Sequence, residues 1–204
     1  MSQTLQAENV TCSLTVTVTT LSDKMLRLHY RVVNRMTEPL YLCNLFWKDS
    51  RVDSATGAEQ FQISPHEAYV RLDEQHRLRV ALSVVRVSLT DGIGVHFIPC
   101  LTRIAPNQSY AANLDLSLPL VPYLKSEAAH PDTALLLPLY FELGYFLGDA
   151  ETEKYLRPVA TDAAPAYQLE PFLSSRQQLI AAGPFSEPAA VAPWLGKDAA
   201  RPWE

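Results

Sequence analysis

Hydrophobic and polar residues alternate along much of the first 150 positions. Val10, Cys12, Leu14, Val16 and Val18 alternate with Thr11, Ser13, Thr15, Thr17 and Thr19. A period of two over that length predicts a strand with one wet face, and Val and Thr are β-branched residues that suit it. Ser22–Asp23–Lys24 predicts a turn. Leu26, Leu28, Tyr30 and Val32 then alternate with Arg27, His29 and Arg31, so strands at 10–20 and 25–33 should form a hairpin. Tyr110, Ala112, Leu114, Leu116 and Leu118 against Asn113, Asp115 and Ser117 predict a third half-buried strand over 109–118.

Two stretches are apolar on both faces. Residues 40–47, LYLCNLFW, break the pattern only at Asn44. Residues 135–147, LLLPLYFELGYFL, have an expected inward set of Leu137, Leu139, Phe141, Leu143 and Tyr145, with Pro138 near the start or at an unpaired position. Strands of this kind are covered on both sides, so something outside a simple two-layer arrangement should cover them. Shorter strand-like runs fall at 60–63, 67–72, 77–82, 84–90 and 95–98, with turns at Asp91–Gly92 and Pro106–Asn107 and a proline-marked loop over 119–134.

The chain changes character after residue 157. Residues 158–204 hold seven of the 15 prolines and 11 alanines. Ser174 and Gln177 fit a capping box and Gly183–Pro184 a stop, which predicts one short helix near 173–182 followed by an irregular tail. The expected fold is therefore all-β: an antiparallel, immunoglobulin-like β-sandwich over 1–157. A C-terminal extension over 158–204 carries the short helix, and its Pro/Ala-rich segment packs on the sandwich. Cys12, Cys43, Cys100 and Trp47 do not reproduce the cysteine–tryptophan–cysteine arrangement of an antibody domain, so the resemblance is one of topology alone.

Composition narrows the partners. A chain of 204 residues with 48% hydrophobic and 19% charged positions can bury a core without metal or disulfide staples. A net charge of −5 argues against nucleic acid, which needs a dominant basic field. No apolar run approaches the roughly 20 residues of a membrane-spanning helix. The first residues show no basic and apolar secretory pattern, and three cysteines without metal-ligand spacing fit a reducing compartment, so a cytoplasmic location is expected. Twelve arginines against five lysines, with abundant Ala and Pro, match a GC-rich, bacterial source.

Candidate chemistry is sparse. His29, His66, His76, His96 and His130 are scattered, and none has zinc-site spacing. His29 and Cys43 lie on successive strands and would make a thiolate–imidazole pair if those strands were neighbours. In an immunoglobulin-like order they belong to opposite sheets, which leaves a surface histidine and an inert thiol. His96 and Cys100 stand about 13 Å apart on extended chain, too far for one metal or one proton transfer. No serine has a nucleophile-elbow context, and Gly92-Ile93-Gly94 reads as a hairpin turn. Asp73–Glu74 and Glu151–Glu153 read as solvated loop charges. Arg71, Arg77, Arg79 and Arg86 with His76 form one basic stretch, read as a wet strand face.

Large aromatics remain. Trp194 and Trp203 each follow a proline in a segment without periodicity. Tryptophan is favoured at recognition sites, so Phe46, Trp47, Trp194 and Trp203 are the candidate interaction surface; the alternative for the tail is that it wraps its own sheet. With no cofactor motif, the function expected is a non-enzymatic binding or accessory module acting by protein–protein interaction. The rivals are a self-associating structural subunit and a thiol- or metal-dependent enzyme whose site is assembled from distant loops.

Overall fold

The computed structural model describes residues 2–54, 57–73, 75, 77–88, 94–122, 135–171 and 174–192. Its elements in chain order are β1 (Ser2–Glu8), β2 (Cys12–Ser22), β3 (Met25–Asn34), β4 (Leu40–Leu45), β5 (Trp47–Val52), β6 (Glu59–Ile63), β7 (Tyr69–Leu72), β8 (Leu78–Leu82) and β9 (Val85–Ser88). There follow β10 (Gly94–Phe97), β11 (Cys100–Ile104), β12 (Ser109–Ser117), β13 (Leu135–Leu137), β14 (Leu139–Leu147), α1 (Ala150–Glu153), β15 (Leu156–Thr161), β16 (Ala166–Leu169), β17 (Gln178–Ala182) and β18 (Ala189–Val191).

The three cleanly alternating stretches become β2, β3 and β12. They join β1 in a four-stranded antiparallel sheet of order β1-β2-β3-β12. Its inner face carries Leu14, Val16, Leu28, Tyr30, Val32, Leu114 and Leu116, all buried in the main core. Its outer face carries the threonines, Arg27, His29 and Arg31, as the alternation requires.

The second layer corrects the expected sandwich. It is a strongly curled, mixed ten-strand half-barrel of order β5-β6-β15-β16-β11-β4-β14-β8-β7, with β17 added on β14. An immunoglobulin-like sheet is antiparallel throughout. Here β14 runs parallel to β8, and β15 parallel to β6. The curl has a cause in the chain itself. Residues 40–52 form β4 in the middle of the sheet and β5 at its far edge, with only Phe46 between them. One short run of backbone can hold both places only if β11, β16, β15 and β6 bend round to meet it. Bulges between Cys100 and Thr102 and between Trp47 and Asp49 supply local bends.

The curl also explains the doubly apolar stretch. Leu40 and Leu42 face the main core, whereas Tyr41 and Cys43 face a second cluster with Leu101, Phe146 and Leu169. A third cluster of Phe61, Ile63, Cys100 and Ala166 lines the far part of the half-barrel. The other two-faced stretch breaks at Pro138, between β13 and β14, and Leu139, Phe141, Leu143 and Tyr145 are fully buried.

The helix expected near 173–182 is not formed. Ser174–Arg176 is a single 3-10 turn, and residues 178–182 are β17, antiparallel to β14. Gln177 does not cap a helix. Its Oε1 accepts from the Val84 N–H at 2.7 Å and its Nε2 donates to the Val84 carbonyl at 3.1 Å, so its amide imitates a strand neighbour. Strands β15 and β16 belong to the half-barrel, and the boundary expected between 157 and 158 falls inside β15.

Candidate functional site

Phe46 and Trp47 do not form an exposed aromatic patch. Phe46 is buried at the β4–β5 break, its ring edge-on to Tyr69 at 5.1 Å. Trp47 is half-buried; its indole N–H donates to the Ile98 carbonyl at 3.0 Å and its ring meets Phe61 at 5.3 Å. Trp194 and Trp203 lie outside the described residues.

His29 and Cys43 belong to different sheets. His29 is exposed, its Nδ1 2.9 Å from Asn113 Oδ1. Cys43 is buried, with Sγ 3.6 Å from Gln177 Oε1. Cys12 and Cys100 are buried as well. Burial raises the pKa of all three thiols, that of Cys100 to about 12, which suppresses the nucleophilic thiolate. His76, His130 and the ring of His96 lie outside the described residues. Among the described residues no group of three or more His, Cys, Asp or Glu is placed to hold a metal, and no helix is long and apolar enough to cross a membrane.

Within the basic stretch Arg71, Arg77 and Arg79 form an ionic network, while His76 and the side chain of Arg86 lie outside the described residues. Arg71 Nη2 donates to both carboxylate oxygens of Glu142, at 2.8 and 3.0 Å, and Arg79 Nη1 to one of them at 3.3 Å. Glu142 is itself buried in the middle of β14. Arg77 and Arg79 both donate to Asp73, at 2.7 and 2.9 Å, and both stand over the Tyr140 ring. Asp73 was expected to be solvated. Burial raises its pKa, but N–H donors of Arg77 and Gln75 and the guanidiniums of Arg79 and Arg77 outweigh that and hold it at about 2. The network pins the β7–β8 hairpin onto β14. The other acid pair is divided, Glu151 pairing with Lys154 and Glu153 accepting from the Tyr41 hydroxyl at 3.5 Å.

Two hollows lie elsewhere on the described surface. One, of about 220 Å³, is lined by Asp49, Arg51, Gln60 and Asp162; its Asp49 pairs with Arg51 and its Asp162 accepts from the Ile63 N–H. The other is an apolar recess of about 150 Å³ between Val18, Leu26, Leu118, Leu136, Leu139 and Pro188.

The remaining feature is the outer edge of β12. Among the described residues no strand pairs with it. Exposed edges are sites for strand addition unless they are short, charged, bulged, proline-bearing or covered. Several other edges carry a contact, charge, bulge or short length that limits pairing. Gln3 on β1 accepts from the N–H and hydroxyl of Ser186, at 2.6 and 2.9 Å. Strand β5 carries Lys48, Asp49 and Arg51 and a bulge, and β7 is only four residues long. Strand β12 is nine residues with no proline, lysine or bulge. Its one charge, Asp115, is neutralised by Arg27 at 2.6 and 2.7 Å, and the Arg27 guanidinium holds its pKa below the usual carboxylate range.

The parity of that edge is fixed. The Asn34 N–H donates to the Gln108 carbonyl just before β12, and the Leu118 N–H to the Lys24 carbonyl just after it, both at 2.9 Å. The register between them is unbroken. Hydrogen-bonded pairs alternate in an antiparallel ladder, so even-numbered residues point their N–H and C=O groups at β3. Ser109, Ala111, Asn113, Asp115 and Ser117 point theirs outward. Five donors and five acceptors therefore line one straight edge. Sequence alternation identified the wet and dry sides of β12; nothing in it marked the strand as an edge.

No family model, no curated protein and no solved structure matches this chain.

Proposed function

We propose that this chain is a non-enzymatic protein-interaction module that receives an extended segment of another polypeptide along the outer edge of β12. The observation that carries the reading is the row of outward N–H and C=O groups on β12, a nine-residue, unbulged edge that no strand pairs among the described residues. Strand addition satisfies such groups with main-chain hydrogen bonds, and the half-buried Tyr110 and Ala112 beside them add apolar contact. The net charge of −5 favours a protein partner over nucleic acid, and the three unpaired cysteines fit a reducing, cytoplasmic setting.

Adjacent alanines give a clean test. Ala111 directs its N–H outward, so Ala111→Pro removes an edge donor and leaves the β3 ladder whole. Ala112 directs its N–H at Tyr30, so Ala112→Pro breaks the ladder and destabilises the sheet. Full-length chain and Ala111→Pro are used as baits, and amide exchange is followed in each complex. The expected result is a partner held by the native chain and lost from Ala111→Pro, with slowed exchange at Ala111, Asn113 and Asp115. A partner held equally by both baits would overturn the proposal.

A further inference from the structure

Resting on the β12 edge reading, we infer that the occupant of that edge is a second copy of this chain, paired antiparallel about a two-fold axis through Asn113. That register pairs all five outward residues, whereas an axis at Ala112 or Leu114 pairs only four. With Asn113 opposite Asn113 of the second copy, Ala111 meets Asp115 and Ser109 meets Ser117. All five outward residues then lie in hydrogen-bonded pairs, and about ten backbone bonds form across the axis. Moving the axis to Asp115 sets two carboxylates face to face, and like charges directly opposite are destabilising. Moving it to Ala111 runs part of the strand past the ends of its partner.

The side chains agree with the backbone. On the inner face Ala112 faces Leu114 and Tyr110 faces Leu116, apolar against apolar. On the outer face Asp115 of the second copy lies across Ala111, and the β3 residue directly behind Ala111 is the exposed Arg31. Arg31 holds only a 3.2 Å contact to Ser109 Oγ among the described hydrogen bonds. Alanine leaves room for that guanidinium to lean over toward the incoming carboxylate, across two strand spacings of about 10 Å. The two-fold generates the same pair twice. The two four-stranded sheets become one continuous eight-stranded antiparallel sheet, the isologous contact that a two-fold dimer requires.

Sedimentation and light scattering of the full chain between about 1 and 100 µM read the monomer–dimer equilibrium. Two symmetric positions are struck by Ala111→Pro, which should raise the dissociation constant more than about tenfold. Asn113→Asp keeps the oxygen facing His29 and sets two carboxylates across the axis. It should weaken the dimer about fivefold at low salt, and less at high salt. Mixing Asn113→Asp with Asn113→Lys should restore a dimer that neither variant forms as well alone. Circular dichroism and thermal melting confirm that each variant is folded. A native chain that stays monomeric throughout, or dimers indifferent to all three substitutions, would overturn the two-fold pairing. A monomeric chain that still loses a different protein on Ala111→Pro would overturn the second-copy inference while supporting the edge itself.

Discussion

Gly144 sits where three strands and a side chain converge on β14. On one edge of β14, β8 pairs with Leu139–Leu143 and β4 with Tyr145–Leu147, so the two partners abut at Gly144. The chain leaving β8 crosses there. A Cβ on Gly144 would stand 2.8 Å from Gln177 Oε1, 2.8 Å from Ser83 Cβ and 3.0 Å from Ser83 Cα. Neither neighbour can yield cheaply. Ser83 is buried, and the Gln177 amide is tied to both polar groups of the Val84 backbone. Overpacking alone costs about 1–3 kcal/mol. Displacing Gln177 removes two hydrogen bonds worth about 1 kcal/mol each. The stiffer unfolded chain returns about 0.4–1 kcal/mol. Gly144→Ala should therefore destabilise by about 2–4 kcal/mol, a fall in Tm of roughly 5–12 °C for a domain of this size. Urea and thermal denaturation measure it, with an unchanged urea slope showing that only stability moved. Ser83→Gly in the same chain should return part of the loss, because it removes one of the two closest contacts. A loss below about 0.5 kcal/mol would refute the crowding argument.

Two further outcomes follow from the charges and thiols. Asp73 has its folded pKa depressed to about 2, so its contribution is present above the unfolded value near 4 and is lost as pH falls through the folded one. Acid unfolding of the native chain should steepen in that window, and Asp73→Asn should flatten it; identical acid curves would remove the network from the account. Cys12, Cys43 and Cys100 should all resist a thiol-reactive disulfide at about pH 8 in the folded chain and all react in urea, and rapid labelling of any one before unfolding would contradict its raised pKa.

The strands legible in the sequence are those with one wet face. Thr15, Thr17 and Thr19 against Val16 and Val18 leave no second reading for β2, and Arg27, His29 and Arg31 do the same for β3. The two-faced run at 40–47 was informative as well, since Leu42 and Cys43 within it do enter different clusters. What covers its second face was not legible. Strand β16 meets β11 at a single paired position, Leu101 opposite Tyr167, and such short segments carry no period. The misread helix shows the opposite failure. Ser174 and Gln177 satisfy a local capping pattern, yet the partner that decides Gln177 is Val84, 93 residues away. Tertiary contacts outweigh a single capping box, worth about 1 kcal/mol.

The same limit governs the proposed site. Periodicity tells which face of a strand is dry, but it is silent on which strand has no neighbour, because strand order depends on closure between distant segments. Strand β12 lies beside β3 across some 80 residues of chain; of the intervening strands, β4 to β8 and β11 join the half-barrel, and β9 and β10 pair with each other. That departure is what strands β12 at the end of a four-stranded layer. The curl that overturns the simple sandwich therefore also creates the open edge: a sheet that bends round to reach β5 draws its strands away from β12 and leaves its outward amides without a neighbouring strand among the described residues. A chain selected only to be a monomer would be expected to break that edge with a lysine, a proline or a bulge, as it does at β5. Nine unbroken residues with a neutralised charge form an edge that no described strand covers, and the proposed strand addition would satisfy its outward amides.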